Sequence, residues 1–223
     1  MDDCSPNLRA GEYRDWEIEA SVDVSEEFDT PGGLTRSWNA GLGIAQRSGS
    51  DIAIVGNSDT VFTPGWDRGI VAALNQFHLV GPVTNAAGWG SPAQRVQNYI
   101  PGYQVSDDEE RLGEASDQLL GFKAVELAPP KFQFGPQGVL VAVPEFINGF
   151  TMAARMETWQ KHKFDADHYF NPAYPMTENE VELQLRWRWA GLRIGIAPSS
   201  FVFHYRSVSR GDQFLCEGAF RKA

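Results

Sequence analysis

The chain has 223 residues, 42% apolar and 22% charged, which suits a core able to bury most of its apolar surface. A formal net charge of −10 repels phosphate backbones and argues against a nucleic-acid partner. Two cysteines, Cys4 and Cys216, make neither a disulfide framework nor a zinc-ligand spacing. Free thiols in a reducing compartment are the simpler expectation, with one bridge between them as the alternative. No apolar run reaches the length of a membrane span, and no apolar signal region opens the chain. The expectation is a soluble cytoplasmic protein with at most peripheral membrane contact.

Residues 1–7 have turn chemistry, and Trp16–Val22 (Trp-Glu-Ile-Glu-Ala-Ser-Val) alternates apolar and polar residues as a strand does. Pro31-Gly32-Gly33 reads as a loop. Thr35 can cap a helix running to Arg47, with Gly49 as its stop. Asp51–Gly56 is a short β-branched run, the pattern of a strand buried on both faces, and Asn57–Thr60 follows as a turn. Thr63-Pro64-Gly65-Trp66 opens a second helix, with Pro64 suited to its first turn, and His78–Val83 is a further buried strand. This strand–helix alternation predicts a mostly parallel sheet covered by helices.

Residues 85–137 are rich in Gly, Pro and polar side chains and read as an excursion from the sheet. They hold one helix near Asp108–Leu120, whose start accounts for the acidic run Asp107–Glu110. Val139–Val143 and Phe150–Ala154 are strand-like, and Met156–Lys161 is a short helix. Thr177–Ala190 reads as a helix with a capping box from Thr177 and Glu180, a stripe of Val181, Leu185 and Trp189, and Gly191 as its stop. Leu192–Ala197 and Phe201–His204 complete the strands, with Pro198 between them. The economical organisation is one domain over 1–223, with residues 1–84 as its first half and 85–223 as its second.

Three groups could carry chemistry. Asn57-Ser58-Asp59 follows a buried strand, where open parallel sheets bind ligands, and a carboxylate there can reach a hard cation; the same residues also suit an Asx turn. Glu180 stands at a helix start, where the dipole keeps a carboxylate ionised and able to act as a base, although a capping box explains it equally. The segment from Phe203 to Gly211 holds His204, Arg206, Ser207, Ser209 and Arg210, which suits metal and phosphate contacts but also a polar surface loop. Seven Trp and fourteen Phe serve a core first. Trp89, Tyr99 and Tyr103, in the polar middle, could instead line a groove for a ligand ring.

In their order these pieces resemble glycosyltransferase family 2, which has the GT-A fold. Met1-Asp-Asp-Cys-Ser-Pro-Asn7 resembles the family's "V-D-D-x-S-x-D", and Trp38–Ala45 is similar to its "N-x-G-x-x-x-A" helix. Ile54–Asp59 resembles the "L-N-x-D" form of its metal motif, and Phe146–Met152 its acceptor-side "G-x-x-M" strand. Glu180–Gly191 resembles "D-V-D-L-x-x-R-x-x-x-A-G". The resemblance implies an N-terminally truncated GT-A-like fold, because the family's first strand and helix precede the first motif. Residues 1–84 would then form the nucleotide-binding half and 85–223 the acceptor side.

It further implies an inverting transfer of a sugar from a nucleoside-diphosphate sugar to a hydroxyl of a glycan or other acceptor, with Mn²⁺ or Mg²⁺. Glu180 would be the base. Asp3, Asn57, Ser58, Asp59, Arg206, Ser207 and Arg210 would face the nucleotide sugar. Asp59 and His204 would hold the metal. Asn57 and Ser58 stand where the family often has carboxylates, and Glu180 is one methylene longer than the family's Asp. A degenerate relative that binds a glycan or partner without turnover is the alternative. A nucleotidyltransferase is disfavoured by the lack of a glycine-rich phosphate loop near the start.

Overall fold

The computed structural model describes residues 33–88, 91–129, 131–134, 140–143 and 145–205. The expected strand Trp16–Val22, Asp3, Trp89, Arg206, Ser207, Arg210 and both cysteines lie outside these residues.

The described residues form an α/β structure on a mixed six-stranded sheet. Its elements are α1 (Gly33–Arg47), β1 (Ile52–Gly56), β2 (Thr60–Phe62), α2 (Trp66–Ala73), β3 (Leu79–Val83), α3 (Glu109–Leu119) and β4 (Val125–Glu126). After these come β5 (Lys131–Phe134), β6 (Leu140–Val143), β7 (Thr151–Arg155), α4 (Met156–Lys161), α5 (Asn179–Trp189) and β8 (Ile194–His204). The strand order is β1-β7-β3-β8-β2, with β4 also on β8, while β5 and β6 form a separate hairpin. The expected mostly parallel sheet is therefore corrected. Only β3 and β8 pair in parallel among these strands, because β7 inserts antiparallel between β1 and β3, and β2 turns back along β8. It follows that β1, β3 and β8 all run in one direction, and their carboxyl ends share one edge of the sheet.

Local signals explain several elements. Asp108 caps α3 by accepting the Arg111 N–H at 3.1 Å. α1 ends in a Schellman motif: Ser50 N–H reaches Ala45 O, Gly49 N–H reaches Gln46 O, and Gly49 takes φ 72°. α5 stops the same way at Gly191, φ 81°.

Other expectations are corrected. α1 begins at Gly33, so Thr35 is not its cap; Thr35 is buried and its hydroxyl donates to Tyr174 O. Pro64 lies outside α2, whose cap is Gly65. α5 begins at Asn179, and Glu178, in a left-handed conformation (φ 64°), makes no side-chain cap, so Thr177 and Glu180 form no capping box. Its buried residues are Asn179, Leu183, Gln184 and Trp187, while Trp189 is 81% exposed. Among the described residues β1 lies at the edge of the sheet, and Ile54 is exposed, so β1 is not buried on both faces as expected. The two last expected strands are one, running through Pro198, with a register shift opposite Pro82 and Val83.

The sheet separates two apolar clusters. On the α1 and α5 side, Trp38, Leu42, Ala53, Val55, Trp159 and Trp187 pack together. On the other side Ile70, Phe77, Val80 and Ala153 do. Trp159 and Trp187 are fully buried at 4.9 Å between centroids. A ring of this size removes about 150–250 Å² from water, ~4–6 kcal/mol at ~25 cal/mol/Å² and an upper bound. No helix among the described residues is long and apolar enough to cross a membrane.

Candidate functional site

The co-directional strands β1, β3 and β8 deliver polar residues to one edge. Gly56 ends β1 and leads into Asn57-Ser58-Asp59, Val83 ends β3 and leads to Asn85, and His204 ends β8. Ligands in α/β sheets gather at such carboxyl ends. β2 pairs Thr60 with His204, and Tyr205 N–H donates to Asp59 O at 2.9 Å, so the Asp59 turn is tied to the end of β8.

The consequence is a close buried pair. His204 Nε2 lies 3.2 Å from Asp59 Oδ1, with side chains 7% and 5% exposed. Asn57 reaches the same imidazole nitrogen at 3.5 Å. The backbone of His204 is clamped by Asn85, which accepts its N–H at 2.8 Å and donates to its C=O at 3.1 Å. Phe150 stacks on the imidazole at 5.3 Å between centroids.

A divalent cation fits these residues on two counts. Ligands adjacent on one cation, each bonded at about 2.0–2.2 Å, lie about 3 Å apart, close to the Asp59–His204 separation. Asn57 Oδ1, beside this pair, is also buried without a hydrogen-bond partner among the described residues, and such an atom calls for a partner. The described residues contain no group of three or more His, Cys, Asp or Glu able to hold a metal. Further positions would therefore fall to neutral oxygen donors, water or a ligand phosphate.

Glu180 belongs to the first turn of α5. Asn179, buried beside it, accepts the Glu180 N–H at 2.8 Å and donates to Thr35 Oγ1 at 2.8 Å, fastening α5 to α1. A Cβ built at Gly149 would meet Trp38 Cη2 at 3.1 Å and Glu180 Cδ at 3.3 Å, so this glycine lets the carboxyl sit against the chain. Burial raises the Glu180 pKa above its usual value. Its own N–H lowers it, the nearby Glu178 charge raises it, and a Gly149 hydrogen bond lowers it.

The two parts of the site meet at Gly149-Phe150: Gly149 touches Glu180, and Phe150 stacks on His204. Trp38 also joins them, contacting Gly149 and donating from Nε1 to Gly56 O at 3.2 Å. Ser58 is half-buried and lines a cleft between α1 and β1 that Trp38 and Gly56 also line. Tyr99 and Tyr103 pack edge-on against Phe122 and Phe201, and Tyr99 OH donates to Ala93 O, while Tyr103 also lines an open cavity beside Arg111 and Glu114.

Sequence reasoning missed the residues that hold this arrangement. Gln184 accepts the Ile147 N–H and donates to Ile147 O, both at 2.7 Å, locking the approach to Gly149 onto α5. Gln94 donates to Pro82 O at 2.8 Å and accepts the Asn148 N–H at 2.6 Å. Gln94 lies in no motif, and Gln184 falls on an unspecified position of the Glu180–Gly191 motif. Their only signal is a buried amide, which sequence does not reveal. No family model matches the chain, and no curated protein matches it.

Proposed function

We propose that this protein transfers a sugar from a nucleoside-diphosphate sugar to an acceptor hydroxyl with inversion, using a divalent metal. The observation that carries this reading is the buried Asp59–His204 pair joined to Glu180 through Gly149-Phe150. The ordered resemblance to glycosyltransferase family 2 supports the same reading.

Glu180 accepts the proton of the acceptor hydroxyl as that oxygen bonds to the anomeric carbon. The bond from that carbon to the terminal phosphate oxygen breaks, and its electron pair leaves with the nucleoside diphosphate. A pKa raised by burial brings Glu180 nearer neutral pH, where a base is most effective. Asp59 and His204, with Asn57 beside them, would hold the metal. When bound, the metal supplies Lewis-acid neutralisation of the charge on the departing diphosphate. Asp3, Arg206, Ser207 and Arg210 remain proposed donor contacts.

The test is calorimetry with manganese and a panel of nucleoside diphosphates, followed by assays for nucleoside diphosphate release from their sugar donors. Wild type should bind one of them only with metal. Asp59→Asn should lose more than the ~10–100-fold typical of removing an outer-shell partner. No metal-dependent binding by any of them would sink the reading. It would favour the non-catalytic glycan- or partner-binding alternative, for which the uncharged Asn57 and Ser58 beside the single Asp59 carboxylate speak.

A further inference from the structure

Trp38 and Leu42 of α1 pack into the core, whereas Arg36, Ala40, Gly43 and Arg47 fall at i, i+4, i+7 and i+11 along another face of the helix. That face looks onto the segment 163–175, and the two enclose a cleft of about 720 Å³. Clefts that hold small molecules measure about 300–1,000 Å³. Ala40 and Gly43 give this one a shallow floor. Among the described residues, a Cβ built on Gly43 would meet only Arg47 Nη1, at 3.4 Å, an ordinary contact. Packing therefore does not require the glycine, although glycine weakens a helix interior.

One end of the cleft gathers hydrogen-bond donors around Tyr169. Lys163, half-buried, lies 4.5 Å from the Tyr169 ring centroid. Gln46 Oε1 accepts from Tyr169 OH at 2.5 Å and from Lys163 Nζ at 3.4 Å, which leaves the Gln46 NH₂ group as a donor. Burial raises the Tyr169 pKa and the Arg47 charge lowers it, so Arg47 acts on the same spot. Neither Arg47 nor Lys163 forms an ion pair among the described residues. Asp167 is the one carboxylate among the described residues that line the cleft; the His168 imidazole there is bound to Asp165.

Each cation has a structural role by itself. Arg47 complements the negative end of α1, and Lys163 covers an aromatic ring. Neither role requires two positive charges and an amide donor to border one cleft in a chain of net charge −10. We propose that this cleft binds a small phosphorylated molecule of sugar size, with Arg47, Lys163 and Gln46 as donors to its phosphate. A phosphate monoester presents three acceptor oxygens and nearly two negative charges at neutral pH, which suits donors arriving from two elements better than a planar carboxylate does. Asp59, His204 and Glu180 do not line this cleft, so it stands or falls apart from the metal-dependent reading.

Calorimetry tests this on the full chain, in EDTA and about 0.15 M salt, where loose surface charge is screened. The probes are inositol monophosphate, inositol and inorganic phosphate. Inositol monophosphate should bind at one saturable site, inorganic phosphate more weakly, and inositol not at all. Arg47→Ala and Lys163→Gln should each weaken binding about tenfold, the loss expected for a charge-assisted hydrogen bond. Gly43→Leu, which fills the floor of the cleft, should weaken inositol monophosphate more than inorganic phosphate. Arg68→Ala removes the same charge from an exposed position on α2 and should change nothing. No saturable binding, an equal loss in Arg68→Ala, or unweakened binding in both Arg47→Ala and Lys163→Gln overturns the proposal. So does sedimentation with phosphatidic acid vesicles without binding of inositol monophosphate, which would put a membrane surface in place of a soluble ligand.

Discussion

Trp38 and Glu180 close on the same point from two helices: the absent Cβ of Gly149, 3.1 Å from the indole Cη2 and 3.3 Å from the carboxyl Cδ. This contact fixes the distance between the proposed base and the loop carrying Phe150, the stacking partner of His204.

Gly149→Ala should therefore keep the fold and impair the site. The new methyl is met by an indole and a carboxyl, which must give by a few tenths of an ångström, and displacement of about 1 Å at a reacting group costs up to ~10²-fold in rate. Steady-state turnover beside a thermal melt checks this. An unchanged rate with a lowered melting point would reduce Gly149 to a packing residue.

Glu180→Gln should lower turnover by about 10²–10⁴-fold while leaving donor binding nearly intact. The same substitution should raise stability at neutral pH. Burial lifts the folded-state pKa of Glu180 above its ordinary value of 4.5, so its ionisation opposes folding. The stability tied to the protonated form is complete below pH 4.5 and is lost as pH rises through the raised folded pKa. The gain of the glutamine variant should thus be absent at low pH and appear above that window. Melting curves of both proteins across pH measure it, and a constant difference would contradict the burial argument.

Gln184→Leu should destabilise the protein, since it strands the buried N–H and C=O of Ile147 together. Each unpaired buried group costs ~1–3 kcal/mol, partly offset by the apolar side chain. Urea unfolding would show the loss. Loosening the loop before Gly149 should also lower turnover, and a stability loss without any rate loss would separate the loop from the site.

Much of the local structure was legible before any coordinates. Asp108 before an acidic turn, Gly49 and Gly191 after helical stretches, and the apolar run ending at Val83 each act through residues a few positions apart, and the chain folds there as expected. Where two local readings competed, the chain could not choose. Val181, Leu185 and Trp189 have the same spacing as Leu183 and Trp187, and only the sheet and the buried Trp159 beneath α5 select the second pair. The expected box of Thr177 and Glu180 failed for the same reason: Asn179, tied to Thr35 of a distant helix, starts α5 instead.

The sequence by itself determined which residues could bear charge, ligate or turn the chain at the ends of strands, because those properties belong to single side chains and their neighbours. Tertiary structure alone decided that β7 inserts antiparallel beside β1, that His204 arrives 3.2 Å from Asp59, and that Gly149 brings Trp38 against Glu180. Those relationships join residues from 31 to 145 positions apart. They come from burying one sheet between two apolar clusters, a condition that no local stretch of chain contains.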